Sequence, residues 1–132
     1  MTTMRTGELM AVYGLLRAGQ SGFAKFGLAD KVRPRGPCVI PGAIYDLGGY
    51  PGLVSGDGTV MGELYEVLDP TVTPILDAYE NYRPQDRAQS DYVRRPVLLA
   101  EPEGAAAWVY IWIKDVTGRP RIDSGDWLSH VA

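Results

Sequence analysis

Two stretches of this sequence carry residue types and spacing suited to proton transfer on a small molecule. The first ends in Glu80. At 100° per residue, Val72, Ile75, Leu76 and Tyr79 gather on one helical stripe, Asp77 points away from it, and Glu80 lands on its edge. Partial desolvation beside the stripe and the C-terminal end of the helix dipole both disfavour the charged carboxylate, raising its pKa towards the range of a general base. Position alone leaves open the plainer reading, a boundary glutamate that reaches water. The second stretch is Tyr13-Gly14-Leu15-Leu16-Arg17-Ala18-Gly19. Gly14 removes the Cβ that would keep a ligand from the backbone, so this turn can offer bare N–H groups to an oxygen atom. Its plainer reading is a tight strand exit bracketed by two glycines. Glu63 and Glu66 are rival acids on a strand, ranked lower because nothing near them in sequence favours a shifted pKa.

The elements that must position these residues are legible in outline. Met10-Ala11-Val12-Tyr13 alternates as an extended segment leading into the turn, and residues 20–30 read as a loop with one short helical turn, broken by Gly22 and Gly27. Residues 31–41 carry Pro34, Pro37 and Pro41, so only an edge or irregular strand fits. Gly42-Ala43-Ile44-Tyr45-Asp46-Leu47 continues into a turn at Gly48-Gly49-Tyr50-Pro51-Gly52, and Leu53-Val54 returns briefly. Ser55-Gly56-Asp57-Gly58 carries the Asp-Gly hairpin signal. The strand that follows places Met61, Glu63, Tyr65 and Val67 on one face and Val60, Gly62, Leu64 and Glu66 on the other, so both faces are partly apolar. Residues 69–82 are the best-defined helix, with Thr73 as N-cap and Pro74 at the first helical position. Residues 91–100 and 105–114 predict an antiparallel hairpin turned at residues 101–104, and residues 124–130 a short closing helix capped by Ser124 or Asp126.

Composition narrows the function classes. The 132 residues suit one domain, 1–132, and 45% hydrophobic against 22% charged residues describes an ordinary globular chain. The net charge of −3, with arginines scattered in pairs, argues against a nucleic-acid partner. The longest apolar run, residues 105–113, is far short of the roughly 20 residues a membrane span needs. Residues 1–10 show no secretory pattern, so a cytoplasmic protein is expected. One cysteine, Cys38, and one histidine, His130, allow neither an internal disulfide nor a Cys/His metal cluster.

Taken together, the ordered motifs resemble the γ-glutamylcyclotransferase-like family and its AIG2-like members. The Tyr13 to Gly19 run matches the family's Tyr-Gly-x-Leu-x-x-Gly turn, followed by residues 42–52 and then Val60-Met61-Gly62-Glu63-Leu64-Tyr65-Glu66-Val67. Leu76-Asp77-Ala78-Tyr79-Glu80 matches the motif that carries the family's acid, and Tyr92-x-Arg94-x-x-Val97 and Ser124-Gly125-Asp126-Trp127 complete the series. The resemblance implies an α+β fold, a small curled mixed β-sheet or barrel with flanking short helices and a cavity at the first strand's turn. It also implies cyclisation of a small γ-glutamyl amide to 5-oxoproline with release of an amine, no cofactor or metal, and Glu80 as general acid and base. The substrate cradle would be the turn of Tyr13, Gly14, Leu15 and Leu16. Beside it, Arg17 reads either as an attractor of the substrate carboxylate or as an exposed loop arginine, and Tyr110 as a residue placed to line the cavity. Many family members have Ser or Thr where Leu15 stands, so one hydroxyl is missing here.

Two rivals keep the same scaffold: a non-catalytic small-ligand or protein-interaction module, and an enzyme removing a γ-glutamyl protecting group in biosynthesis. The expected partner is a small molecule, and the exposed ends of a small sheet suit a monomer or a homodimer. Tyr92 and Tyr110 read as mostly structural, Cys38 as a small core residue, His130 as an exposed side chain, and Trp108, Trp112 and Trp127 as packing residues.

Overall fold

Proline placement decides the edge of the sheet. In the computed structural model, which describes residues 3–132, strand β2 spans Val32–Asp46 and carries Pro34, Pro37 and Pro41. Of residues 1–10, read above for a signal, Met1 and Thr2 lie outside the described residues. Strand β1 is Leu9–Val12, β3 is Pro51–Val67, β4 is Tyr92–Leu98 and β5 is Ala106–Trp112, in the order β2-β3-β1-β5-β4. The sheet is mixed: β1 runs antiparallel to β3 and parallel to β5.

β2 therefore sits at an edge, as its prolines require. Val39 N–H points outward and donates to the Glu101 carbonyl at 2.8 Å. Pro37 and Pro41, two residues either side, share that outward direction, so neither removes a bond to β3. The Val39–Glu101 bridge carries the chain just after β4 across to β2. Of the two expected forms, the curled sheet is the one adopted: it bends towards itself but does not close.

Curling divides the core by strand alternation. Ala11, Ile40, Val60, Leu64, Val109 and Ile111 pack inside the curl, while Met10, Val12, Tyr65, Val67 and Tyr110 face outward under the helices. Helix α1 (Ser21–Lys25) and helix α2 (Val72–Tyr79) flank the sheet, and α3 (Trp127–Val131) closes the chain. Val72 and Leu76 of α2 are fully buried in the outer layer. Asp126 caps α3 by accepting from Leu128 N–H at 3.1 Å. Among the described residues, no helix is long and apolar enough to cross a membrane.

Three local expectations are corrected. Ser55-Gly56-Asp57-Gly58 is not a hairpin turn; it lies within β3 as a bulge, between Val54 paired with Ala43 and Thr59 paired with Pro41. The reversal falls earlier, where Leu47 N–H donates to Tyr50 O at 2.9 Å and the Asp46 carboxylate accepts from Gly48 and Gly49. Opposite the bulge, Gly42 has φ 138°, and a Cβ there would lie 2.8 Å from the Val54 carbonyl oxygen. Helix α2 is capped at Thr71, not Thr73, and Pro74 is its third residue, still within the turn whose N–H groups have no helical acceptor. Thr73 instead accepts from Met4 N–H at 3.1 Å. Residues 20–30 hold two helical pieces rather than one, α1 and a 3-10 turn at Leu28–Asp30.

Candidate active site

The turn after β1 and the end of α2 face each other across a cavity of about 240 Å³. Tyr13, Gly14, Leu15 and Leu16 line one side, and Tyr79 and Glu80 line the other. Tyr110, on β5, forms part of the wall between them.

The turn is held by its own backbone. Arg17 N–H donates to Gly14 O at 3.1 Å, and Gly22 N–H at the start of α1 donates to Leu15 O at 2.8 Å. Among the described residues, the N–H groups of Gly14, Leu15 and Leu16 have no acceptor, which leaves three successive donors at the cavity wall. Gly14 is required for a reason the sequence does not display: a Cβ there would lie 2.5 Å from Pro51 Cγ. Pro51, not a ligand, is what comes close.

Glu80 occupies the C-cap of α2. The helix ends in a Schellman pattern: Tyr82 N–H donates to Asp77 O at 2.8 Å and Asn81 N–H to Ala78 O at 3.2 Å, with Asn81 left-handed at φ 50°. That turn stops the helix at the acid and directs the next residues away. Burial pushes the Glu80 carboxyl up from 4.5 to about 8. Among the described residues, no hydrogen bond or ion pair reaches that carboxyl, although it borders the cavity. The rival acids are committed elsewhere. Glu63 accepts from Arg17 Nε at 2.8 Å and from Ala18 N–H at 2.9 Å, and Glu66 accepts from Arg35 at 2.6 Å.

The tyrosines shape the cavity, but their hydroxyls are spent on the fold. Tyr13 donates to Tyr110 O at 2.7 Å and accepts from Leu53 N–H at 3.2 Å. Tyr92 donates to Pro51 O at 2.8 Å, holding the proline against Gly14. Tyr110 donates to Asp77 at 2.6 Å. Burial pushes all three phenols up, so they remain neutral.

Arg17 is not among the residues lining the cavity. Its guanidinium pairs with Glu63 at 2.8 Å and Asp126 at 3.0 Å, tying the turn to β3 and the C-terminal helix. Asp77, expected to point away from the apolar stripe, is drawn onto the sheet by Tyr110 and by Arg94, whose Nε and Nη2 lie 2.9 and 3.1 Å from the carboxylate. Arg94 is buried with its guanidinium 4.7 Å from the Trp108 ring. One signal for this pair was available: an arginine inside an apolar strand needs a buried anion nearby.

Chemically, the cavity offers a carboxyl that can exchange a proton near neutral pH and three donors able to hold an anionic oxygen. Among the described residues, no group of three or more His, Cys, Asp or Glu is gathered to hold a metal ion.

Known proteins share this sequence pattern and fold. The family model described as "Gamma-glutamyl cyclotransferase, AIG2-like" matches residues 10–129. "Gamma-glutamylcyclotransferase family protein YtfP" of Escherichia coli is 40% identical over 85 residues, 64% of this chain and 66%, just under two thirds, of its own length. The solution structure of protein ytfP from the same organism aligns with a TM-score of 0.64 at 31% identity, covering 94% of this chain and 99% of that one. "Gamma-L-glutamyl-butirosin B gamma-glutamyl cyclotransferase" of Niallia circulans is 31% identical over 106 residues, 79% of this chain and 66% of its own.

Proposed function

This chain belongs to the gamma-glutamyl cyclotransferase, AIG2-like family, and from that membership we propose that it converts a small γ-glutamyl amide into 5-oxoproline and a free amine, with Glu80 as general base and then general acid. The supporting observation is the unpartnered Glu80 carboxyl, raised to about 8, in one cavity with the free N–H groups of Gly14, Leu15 and Leu16.

A peptide's α-ammonium has a pKa of about 8, and the free α-carboxylate of a γ-glutamyl group raises it further. A carboxyl of ordinary pKa would face a steep uphill transfer; one near 8 cuts most of that cost. The freed α-amine then attacks the γ-carbonyl carbon of its own molecule, forming the lactam C–N bond while the carbonyl π electrons move onto oxygen. As that oxygen reforms the double bond, the C–N bond to the leaving amine breaks, Glu80 returns its proton to the departing nitrogen, and the ring nitrogen passes its second proton to the released amine, which leaves as an ammonium. Overall, one C–N bond is exchanged for another and no cofactor is consumed. Because the nucleophile is tethered, the cavity's main task is to hold the substrate folded for ring closure. The turn N–H groups would hold the α-carboxylate or the developing oxyanion. Leu15 lacks the hydroxyl of many relatives, but its backbone N–H remains free for that role.

The test is 5-oxoproline release from a panel of γ-glutamyl amides by the wild type and by Glu80→Gln. Turnover by the wild type that vanishes in a folded Glu80→Gln protein supports the reading. Silence across the panel favours a binding module on the same scaffold, and equal rates in both proteins remove Glu80 from the mechanism.

A further inference from the structure

Resting on the cyclotransferase reading above, we propose that the preferred leaving amine carries a second positive charge, which Asp91 holds: the substrate class is the γ-glutamyl amide of a diamine or of another amine with a spare ammonium.

The charge inventory of the cavity carries this. Its lining residues include two acids, Glu80 and Asp91, and, among the described residues, no lysine, arginine or histidine. Nearby arginines are committed: Arg17 pairs with Glu63 and Asp126, and Arg94 pairs with Asp77.

Asp91 is fixed where it stands. Its N–H donates to Asn81 O at 2.9 Å, and its own carbonyl accepts from Ile113 N–H at 3.0 Å. It is half-buried beside the residue that follows Glu80, and among the described residues its carboxyl has no hydrogen bond or ion pair.

A γ-glutamyl group brings one ammonium and one carboxylate. The ammonium meets Glu80 and the carboxylate has the turn N–H groups, so Asp91 is left over. A leaving amine bearing a carboxylate would add an anion to a cavity already holding two acids and no cation. One bearing an ammonium pairs the unused carboxylate. At about 240 Å³ the cavity lies below the roughly 300–1,000 Å³ of pockets for drug-sized ligands, which suits a short amine.

The experiment compares kcat/KM for three γ-glutamyl amides of similar length, those of butanediamine, pentylamine and γ-aminobutyrate, with the full chain at low ionic strength. The expected order is cationic, then neutral, then anionic, with about a 2- to 5-fold step from cationic to neutral, as for a solvated ion pair. In Asp91→Asn the cationic-to-neutral ratio falls to near one, while Asp91→Glu retains it; added salt shrinks it in the wild type. Because each ratio is read within one preparation, partial misfolding of a variant cancels. Turnover of the neutral amide with an equal or reversed order, or a ratio unchanged in Asp91→Asn, overturns the inference and leaves the cyclotransferase reading standing. Silence with all three amides overturns both.

Discussion

Tyr110 donates its hydroxyl to Asp77 at 2.6 Å, one helical turn before Glu80. The wall of the cavity is thereby bonded directly to the helix that presents the acid. Removing the Asp77 charge by Asp77→Asn strips the buried Arg94 of its paired anion, with an expected loss of about 3 kcal/mol of stability. Tyr110→Phe removes one hydrogen bond to a charged group and costs about 1.5–2 kcal/mol. Urea unfolding midpoints of the two variants should fall in that order; equal midpoints would contradict the pairing.

Glu80 links stability to pH. Its carboxyl is raised in the folded state from 4.5 to about 8, so below pH 4.5 it is protonated whether folded or unfolded, and its contribution is fully present. As pH rises from 4.5 through about 8, the unfolded chain releases the proton first, and that contribution is lost. Glu80→Gln should flatten this part of the stability profile, so the variant gains on the wild type at pH 8.5 relative to pH 4.5. Thermal melts across that range measure it; parallel curves would place the carboxyl in ordinary solvent.

On the proposed mechanism the same group sets the rate profile. If Glu80 is the base, kcat/KM for a neutral leaving amine should rise with pH to an inflection near 8, where the carboxyl loses its proton. A pH–rate series with the pentylamide tests this, and an inflection near 4.5 would point to an unshifted acid.

Gly14→Ala places a methyl against Pro51, at a site whose Cβ would be 2.5 Å from Pro51 Cγ. The turn or the proline must move, at a cost of about 1–3 kcal/mol. Because that turn carries the free N–H groups, kcat/KM should fall more than tenfold, beyond what lost stability explains. Retained activity would mean that the turn's geometry is not used.

Asn81 holds φ 50° immediately after Glu80. Asn81→Gly should be neutral or slightly stabilising, whereas Asn81→Val should cost about 1–2 kcal/mol for a β-branched side chain in the left-handed region. Denaturation of the two variants separates backbone strain from loss of the Asn81 side-chain bond to Gln89 O, which both substitutions remove.

What the sequence made legible was whatever is local. The prolines at 34, 37 and 41 mark an edge or irregular strand, the alternation through Val60 and Tyr65 a strand partly apolar on both faces, and Glu80 an acid at a helix end. Asp77 was misread because a helical wheel sees only its own helix, while the partners that draw it inward, Arg94 and Tyr110, lie on strands 17 and 33 residues further along. Asp57-Gly58 was misread for a related reason. Its turn chemistry is real, but Gly48 and Gly49 reverse the chain first, leaving the later pair to absorb extra length opposite Gly42. Nothing local in sequence marks Asp91; only the assembled cavity shows it without a partner among the described residues.

The parallel pairing of Met10 with Trp108 has a kinetic consequence. A four-residue strand near residue 10 finds its place only between β3 and a strand nearly a hundred residues later, so the central ladder is a long-range closure of the kind that slows folding. The wall that joins the turn after β1 to the end of α2 is incomplete until β5 has docked. A nascent chain that has not yet released β5 therefore carries every residue of the first turn and of α2, yet has no site. If the cavity is an active site, recovery of activity during refolding would report completion of the whole sheet, not the formation of either half.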